Sequence, residues 1–303
     1  MDFYSGWYAA ISSDEVKGNK PTAIRRFGRE LVVWRDRDGK ASVMDDSCPH
    51  RSVKLSLGSV KNGVLACAFH GFEFASDGSC ILVPETGKPA ANLRCRSMPC
   101  LESHGFIWLW YGPAEQAESH PPWFEELDEG LSWSQYTSSW PCHITRCIEN
   151  QLDYAHLPYI HASTIGRGFK LQDNDRNFEL DDDSIKLRLK QSHFIFKFPN
   201  IWSLQILPGR FYQFIAFVPI DLENTLLYVR AYQRFVTIPV LRNALALILD
   251  YQSKKILLQD KSVVISHPRQ SSTIDVGEKL YPSDKGIVWF RKRWSEGTTE
   301  GFE

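Results

Sequence analysis

The chain has 303 residues, 43% of them hydrophobic, which is enough for two packed cores. Its formal net charge is −1 with no long block of one sign, which argues against a nucleic-acid or strongly anionic membrane partner. The start, Met1 to Trp7, lacks a basic region followed by an apolar run and a cleavage site, so no secretory signal is expected.

Residues 1 to 113 carry short apolar and β-branched runs separated by Asp38-Gly39, Asn62-Gly63 and Asp77-Gly78, which predict hairpins throughout. Two mixed knuckles sit among them. Cys48-Pro49-His50-Arg51 is followed, after a gap of sixteen residues between ligands, by Cys67-Ala68-Phe69-His70-Gly71-Phe72. Proline and glycine stand where two ligand loops must turn tightly. Two thiolates suit one iron of a [2Fe–2S] cluster and two imidazoles the other, an exchange that raises the reduction potential. A Cys2His2 zinc site uses the same residue types, although common zinc patterns pair Cys with Cys and His with His. Cys80, Cys95, Cys100, Cys142 and Cys147 remain, an odd number for a disulfide framework. They are expected to be small buried apolar residues in a reducing, cytoplasmic setting.

The stretch from Gly112 to Pro122 is polar and proline-bearing and predicts a linker. The second metal motif follows in Glu149-Asn150-Gln151-Leu152-Asp153-Tyr154-Ala155-His156-Leu157-Pro158-Tyr159-Ile160-His161. Asp153 and His156 are one helical turn apart, so the carboxylate can orient the imidazole. His161 misaligns with His156 on a straight helix, so a helix ending or kinking near Pro158 is needed to bring both rings to one metal. Asn150 is a further candidate near that metal, or a residue that bonds locally or faces solvent.

Strand-like runs follow at 192–199, 211–219 and 225–236. His193 and the aromatics Phe194, Phe196, Phe198, Trp202, Phe211 and Phe214 are candidates for a pocket wall or for core. His104, His120, His143, His193 and His267 have no partner at ligand spacing and read as structural or exposed. Phe235 to Leu249 is apolar but interrupted by Pro239, Arg242 and Asn243, too short and polar to span a bilayer; it reads better as the start of the helix that leads to Asp260, with a short amphipathic membrane contact as the lesser alternative. Helical periodicity then runs from Ala244 to Ser266. Asp260 falls inside an apolar stripe with Ile256, Leu257, Val263 and Val264, so burial there requires a metal or a buried Arg or Lys. Asp250 is the weaker candidate because Lys254 follows at i+4.

These motifs, in this order, resemble the Rieske non-haem iron oxygenases over nearly the whole chain. The resemblance includes Leu31-Val32-Val33-Trp34-Arg35, both knuckles, Gly105 to Gly112, the Asn-x-x-Asp-x-x-His-x4-His run, Leu258-Gln259-Asp260 and the ending around Pro282-Ser283-Asp284 and Phe290 to Trp294. It implies an α+β chain: an all-β Rieske [2Fe–2S] domain over 1–113 and a catalytic domain over 114–303 with an antiparallel sheet and helices of helix-grip, START-like type. It implies a Rieske cluster on Cys48, His50, Cys67 and His70, and a mononuclear Fe(II) on His156, His161 and Asp260 as a facial triad with open positions. Asp153 is the implied bridge for electrons, which pass between subunits of a homotrimer to or from a cluster histidine, His70 rather than His50. Where the family commonly has Pro-Tyr and a later Trp in the second knuckle, this chain has Ala68-Phe69 and Phe72, which changes the hydrogen bonding that tunes the cluster but removes no ligand.

The implied activity is that of a terminal oxygenase that uses O2 to hydroxylate or demethylate a small hydrophobic, aromatic, alkaloid or steroid-like substrate. No Gly-rich dinucleotide fingerprint follows a strand, so an NAD(P)H-dependent reductase and/or ferredoxin is expected to be a separate protein. Two other classes remain: a Rieske electron-transfer protein without oxygenase activity, and a zinc-stabilised ligand-binding protein.

Overall fold

The computed structural model describes residues 3–127, 130–171, 177–189, 192–236, 238–268, 270–272 and 277–299. Met1 and Asp2 of the N-terminal expectation, and the last residues of the expected catalytic domain, lie outside them. Two compact units result, one from residues 6–121 and the other from 122–299 together with 3–5.

In the first unit every strand pairs antiparallel. Gly6–Ser12 (β2), Cys100–Ser103 (β11) and Phe106–Tyr111 (β12) form one sheet in the order β11-β12-β2. Thr22–Arg26 (β3), Arg29–Arg35 (β4) and Ala41–Asp45 (β5) form a second. Ser59–Lys61 (β6), Val64–Ala66 (β7), Glu73–Phe74 (β8), Ser79–Val83 (β9) and Lys88–Arg94 (β10) form a third, a meander in chain order. All six residues of β12 are buried, which explains an apolar run with no alternation. The predicted turns connect β4 to β5, β6 to β7 and β8 to β9. At the second of these Asn62 and Gly63 take φ of 51° and 77°, the two left-handed residues of a type I′ hairpin. A Cβ on Gly63 would fall 1.9 Å from the Arg37 nitrogen, so glycine is required for space as well as for φ.

The first unit runs on to Pro121 rather than stopping at 113. Trp110 Nε1 donates to the Pro113 carbonyl (2.9 Å) and Trp7 Nε1 to that of Glu118 (2.8 Å), which ties the expected linker to the β11-β12-β2 sheet.

The second unit is built on a seven-stranded antiparallel sheet. Its strands are Ser132–Trp140 (β13), Asn177–Leu180 (β14), Ser184–Arg188 (β15), His193–Lys197 (β16), Ile201–Leu207 (β17), Phe211–Pro219 (β18) and Thr225–Gln233 (β19). Their order is β13-β19-β18-β17-β16-β15-β14. Phe3–Tyr4 (β1) pairs with Thr298–Thr299 (β20) in a separate short ladder. Among the described residues, the helices Ile144–Leu152 (α1), Leu157–Ile160 (α2), Pro239–Val264 (α3) and Lys285–Gly297 (α4) complete it. The 26-residue α3 packs on β13 and β19 and against α1. The chain is therefore α+β, with a long helix held by an antiparallel sheet. No described helix is long and apolar enough to cross a membrane.

Phe196, Phe198 and Phe290 form an aromatic core, with ring centroids 5.0–5.7 Å apart. Phe214 packs on Trp123 and Phe124, and Phe211 on Phe235. Of the six candidate aromatics these four are packing residues. On α3, Leu257, Asp260 and Val264 are buried at spacings of three and four, whereas Val263 is 41% exposed and stands outside the stripe.

Candidate metal centres

In the first unit two loops of matching form present the knuckle residues. Cys48 N donates to the Val53 carbonyl (2.9 Å) and Ser52 N to that of Cys48 (2.7 Å). Likewise Cys67 N donates to the Phe72 carbonyl (2.9 Å) and Gly71 N to that of Cys67 (3.0 Å). Each loop closes with a left-handed residue four positions after its cysteine, Ser52 at φ 55° and Gly71 at φ 70°. The two cysteines are buried in a core that includes Trp34, Leu55, Leu65 and Phe74. His50 and His70 lie at the surface with ring centroids 4.8 Å apart.

The donor set fits a mixed-ligand cluster. Burial raises the Cys48 thiol to about 11, the backbone N–H groups of His50 and Arg51 act against that rise, and Cys67 adds to it. N–H groups aimed at a sulfur favour its thiolate, the form a cluster requires. Phe72 stacks on His50 at 4.7 Å, and Phe69, 52% exposed, covers His70 at 3.9 Å with Arg51 above its outer ring. The residues that depart from the family pattern therefore pack against both imidazoles. Cys80, Cys95, Cys142 and Cys147 are buried and Cys100 is partly so, as small apolar residues.

In the second unit the histidine motif breaks earlier than Pro158 predicts. α1 stops at Leu152, and Asp153 caps it with extended φ and ψ. Asp153 Oδ1 accepts the Ala155 N–H at 2.7 Å, a side-chain turn that competes with the helix. Pro158 instead sits in the first turn of α2, where its missing N–H has no intrahelical role. Asp153 and His156 are thus not stacked on one helix. Asp153 Oδ2 stands 3.4 Å from His156 Nδ1, close enough for an ion pair but without the alignment of a hydrogen bond.

This break turns His156 and His161 toward α3. His161 Nε2 lies 2.8 Å from Asp260 Oδ1 and His156 Nε2 lies 3.5 Å from the same oxygen. One donor atom from each of the three residues falls within 4.8 Å of the others. Asp260 is 3% exposed, and these histidines, rather than an Arg or Lys, are its ion-pair partners among the described residues. A buried carboxylate facing two imidazoles needs a cation. The set fits ferrous iron, with Nε2 of each ring turned inward and Nδ1 turned outward. Asp250, the weaker candidate, accepts from Ser134 Oγ at 2.7 Å, while Lys254 lies over the Tyr136 ring.

Gln259 was not legible as part of the site. Its Oε1 lies 3.0 Å from His161 Nδ1 and also accepts from Thr164 Oγ1. That contact fixes the tautomer that leaves His161 Nε2 free for a metal. Burial pulls the His161 imidazole down, but its bonds to Asp260 and Gln259 outweigh burial and hold it above 6.5. Metal uptake would displace that proton. Gln259→Ala is expected to weaken iron binding by roughly 10–100-fold and leave the cluster spectrum unchanged, as read by iron titration of protein made metal-free at this site.

The three residues open onto a cavity of about 400 Å³. Its wall is mostly apolar, with Ile215, Ile256, Leu257 and Phe194 among the lining residues, and it also includes Asn150, Asp153, Tyr136 and Trp202. Asn150 is therefore beside the candidate iron site and does not face bulk solvent, and its Nδ2 is buried without a hydrogen-bond partner among the described residues. His193 is not part of the wall.

The Rieske [2Fe-2S] domain family matches residues 6–102. Chlorophyllide a oxygenase, chloroplastic, of Chlamydomonas reinhardtii is 36% identical over 167 residues, 55% of this chain and 26% of its own. The vanillate O-demethylase oxygenase subunit of Pseudomonas sp. (strain HR199 / DSM 7063) is 31% identical over 173 residues, 54% of this chain and 46% of its own. The match spans less than half the length of these relatives. Among solved structures, dicamba monooxygenase bound to dicamba superposes with a TM-score of 0.80, at 20% identity, over 98% of each chain. That likeness is one of fold.

Proposed function

We propose that this chain, a member of the Rieske non-haem iron oxygenase family, works as a terminal oxygenase that hydroxylates or demethylates a small, largely apolar substrate. The observation that carries the reading is the convergence of His156, His161 and Asp260 at the wall of an apolar cavity, in a chain that also bears a Rieske domain. Residues 6–121 are assigned the cluster, on Cys48, His50, Cys67 and His70, and the second unit the catalytic iron.

Ferrous iron held by the three residues would supply the binding and activation of O2 beside the substrate. The chain's own residues do the rest. Gln259 holds the His161 ring, Asp153 stands behind His156, and the apolar wall keeps water from the reacting face. Tyr136 keeps its proton, because burial, with Asp250 and Asp260 nearby, pushes its phenol up. Electrons are proposed to come from a separate reductase or ferredoxin. By family resemblance they pass between copies in a homotrimer, with Asp153 of one copy serving the cluster histidine, His70, of the next.

The test is a single turnover. Protein reduced without oxygen is mixed with isotopically labelled O2 and para-methoxybenzamide, and the product is analysed. Label in a ring hydroxyl, or formaldehyde released from the methoxy group, is expected in an amount set by the reduced centres. Oxidation of the cluster without any modified product would support the electron carrier instead.

A further inference from the structure

Among the described residues that line the cavity, the carboxylates Asp153 and Asp260 are the only charged groups besides the two candidate ligand histidines, and no Arg or Lys is present. With neutral imidazoles, a ferrous ion of charge +2 would be balanced by these two carboxylates, leaving no surplus positive charge. A substrate carboxylate would then enter a mostly apolar space with no Arg or Lys among the described lining residues to pair with, which is strongly unfavourable.

Apart from His156 Nδ1, which faces Asp153 Oδ2 at 3.4 Å, the polar atoms of lining residues left without hydrogen-bond partners have a common character. Tyr136 Oη, Trp202 Nε1 and Asn150 Nδ2 belong to lining residues, are buried, and have no hydrogen-bond partner among the described residues. All three can donate, and an indole N–H or an amide NH2 can only donate. Tyr136 is on β13 and Trp202 on β17, so these donors come from separate strands of the sheet, with Trp202 braced by Phe194 at a centroid distance of 5.9 Å. Buried donors without acceptors are costly and mark where a ligand's acceptors are met.

We infer that the cavity selects an uncharged, apolar molecule carrying carbonyl or ether-type acceptors, oriented by Tyr136 and Trp202, and discriminates against the corresponding carboxylate. The inference rests on the oxygenase reading only for the location of the site. Lys190 lies outside the described residues, between the lining residues Leu189 and Ser192, and is included in the test.

The experiment measures equilibrium binding to the iron-loaded full chain without oxygen, by dialysis and by quenching of tryptophan fluorescence. Para-methoxybenzamide is compared with para-methoxybenzoate, and a methoxynaphthamide with its naphthoate. Each amide is expected to bind at least about tenfold more tightly than its acid, a difference of about 1.4 kcal/mol. Trp202→Phe and Tyr136→Phe are each expected to weaken amide binding by about fivefold to tenfold, the range of one hydrogen bond, with iron content and thermal midpoint unchanged. Equal or tighter binding of the acids overturns the inference. So does loss of tight acid binding in Lys190→Ala, which would identify the missing cation, and so does failure of every probe to bind at millimolar concentration. Because binding is read without turnover, a chain that binds the amides yet modifies none of them overturns the oxygenase reading and leaves this inference standing.

Discussion

Asp260→Ala is expected to abolish oxygen consumption and to strip the mononuclear iron, while the visible spectrum of the cluster stays as in the parent. Asp260 contributes the only carboxylate of the candidate triad, and it lies 2.8 Å and 3.5 Å from the two imidazoles. Its loss should cost more than the roughly 10–100-fold in affinity that follows removal of a supporting residue such as Gln259. Asp260→Asn keeps the shape and removes the charge, so it separates a role in neutralising iron from a role in packing. Iron analysis on both variants, with cluster absorbance as the internal control, reads the result. Retention of a full iron complement in Asp260→Ala would place the metal elsewhere.

Arg291→Ala is expected to destabilise the second unit by about 3–5 kcal/mol, because it leaves a buried carboxylate short of its partner. Arg291 on α4 donates through Nε to Glu149 Oε1 at 2.6 Å and through Nη2 to Glu278 Oε2 at 2.6 Å. Arg146 lies 3.3 Å from Glu149 and 2.9 Å from Glu278, so two guanidiniums and two carboxylates balance. Glu149 immediately precedes Asn150 on α1, so the network anchors the helix that leads into Asp153 and His156. In a domain of this size each kcal/mol shifts the thermal midpoint by roughly 2–4 °C, which scanning calorimetry resolves. Arg291→Lys, which keeps the charge but not the fork, should lose less.

The same network sets an acid limit. Burial pushes the Glu278 carboxyl up, but its bonds to Arg291 and Arg146 outweigh this and hold it below its ordinary 4.5. A depressed carboxyl stabilises the fold above the ordinary value, and that contribution is lost as pH falls through the lowered one.

What could be read from the sequence was mostly local. The knuckles are short loops whose candidate ligands, proline and glycine stand within a few residues of one another, so the first candidate site could be proposed from local sequence alone. The hairpins were too, since Asn62-Gly63 states its own turn type. The position of the helix break was not. Pro158 is the stronger breaker on paper, but the Asp153 side chain takes the Ala155 N–H first and ends the helix five residues earlier. Periodicity placed Asp260 in a buried stripe without deciding its partner, because a metal site and a salt bridge look alike until the opposite element is known. Gln259 and His161 are 98 residues apart, and that separation hides the contact. Tyr136 and Trp202 gave no signal as unsatisfied donors, because in a strand pattern each reads as one more half-buried aromatic.

Metal content distinguishes an oxygenase from an electron carrier and from a zinc protein. Protein purified without oxygen should be red-brown, with about three irons and about two sulfides per chain, and should develop a rhombic electron paramagnetic resonance signal of low average g on reduction with dithionite. Iron confined to the cluster would contradict the mononuclear site and favour an electron carrier. A colourless chain holding zinc would contradict both centres.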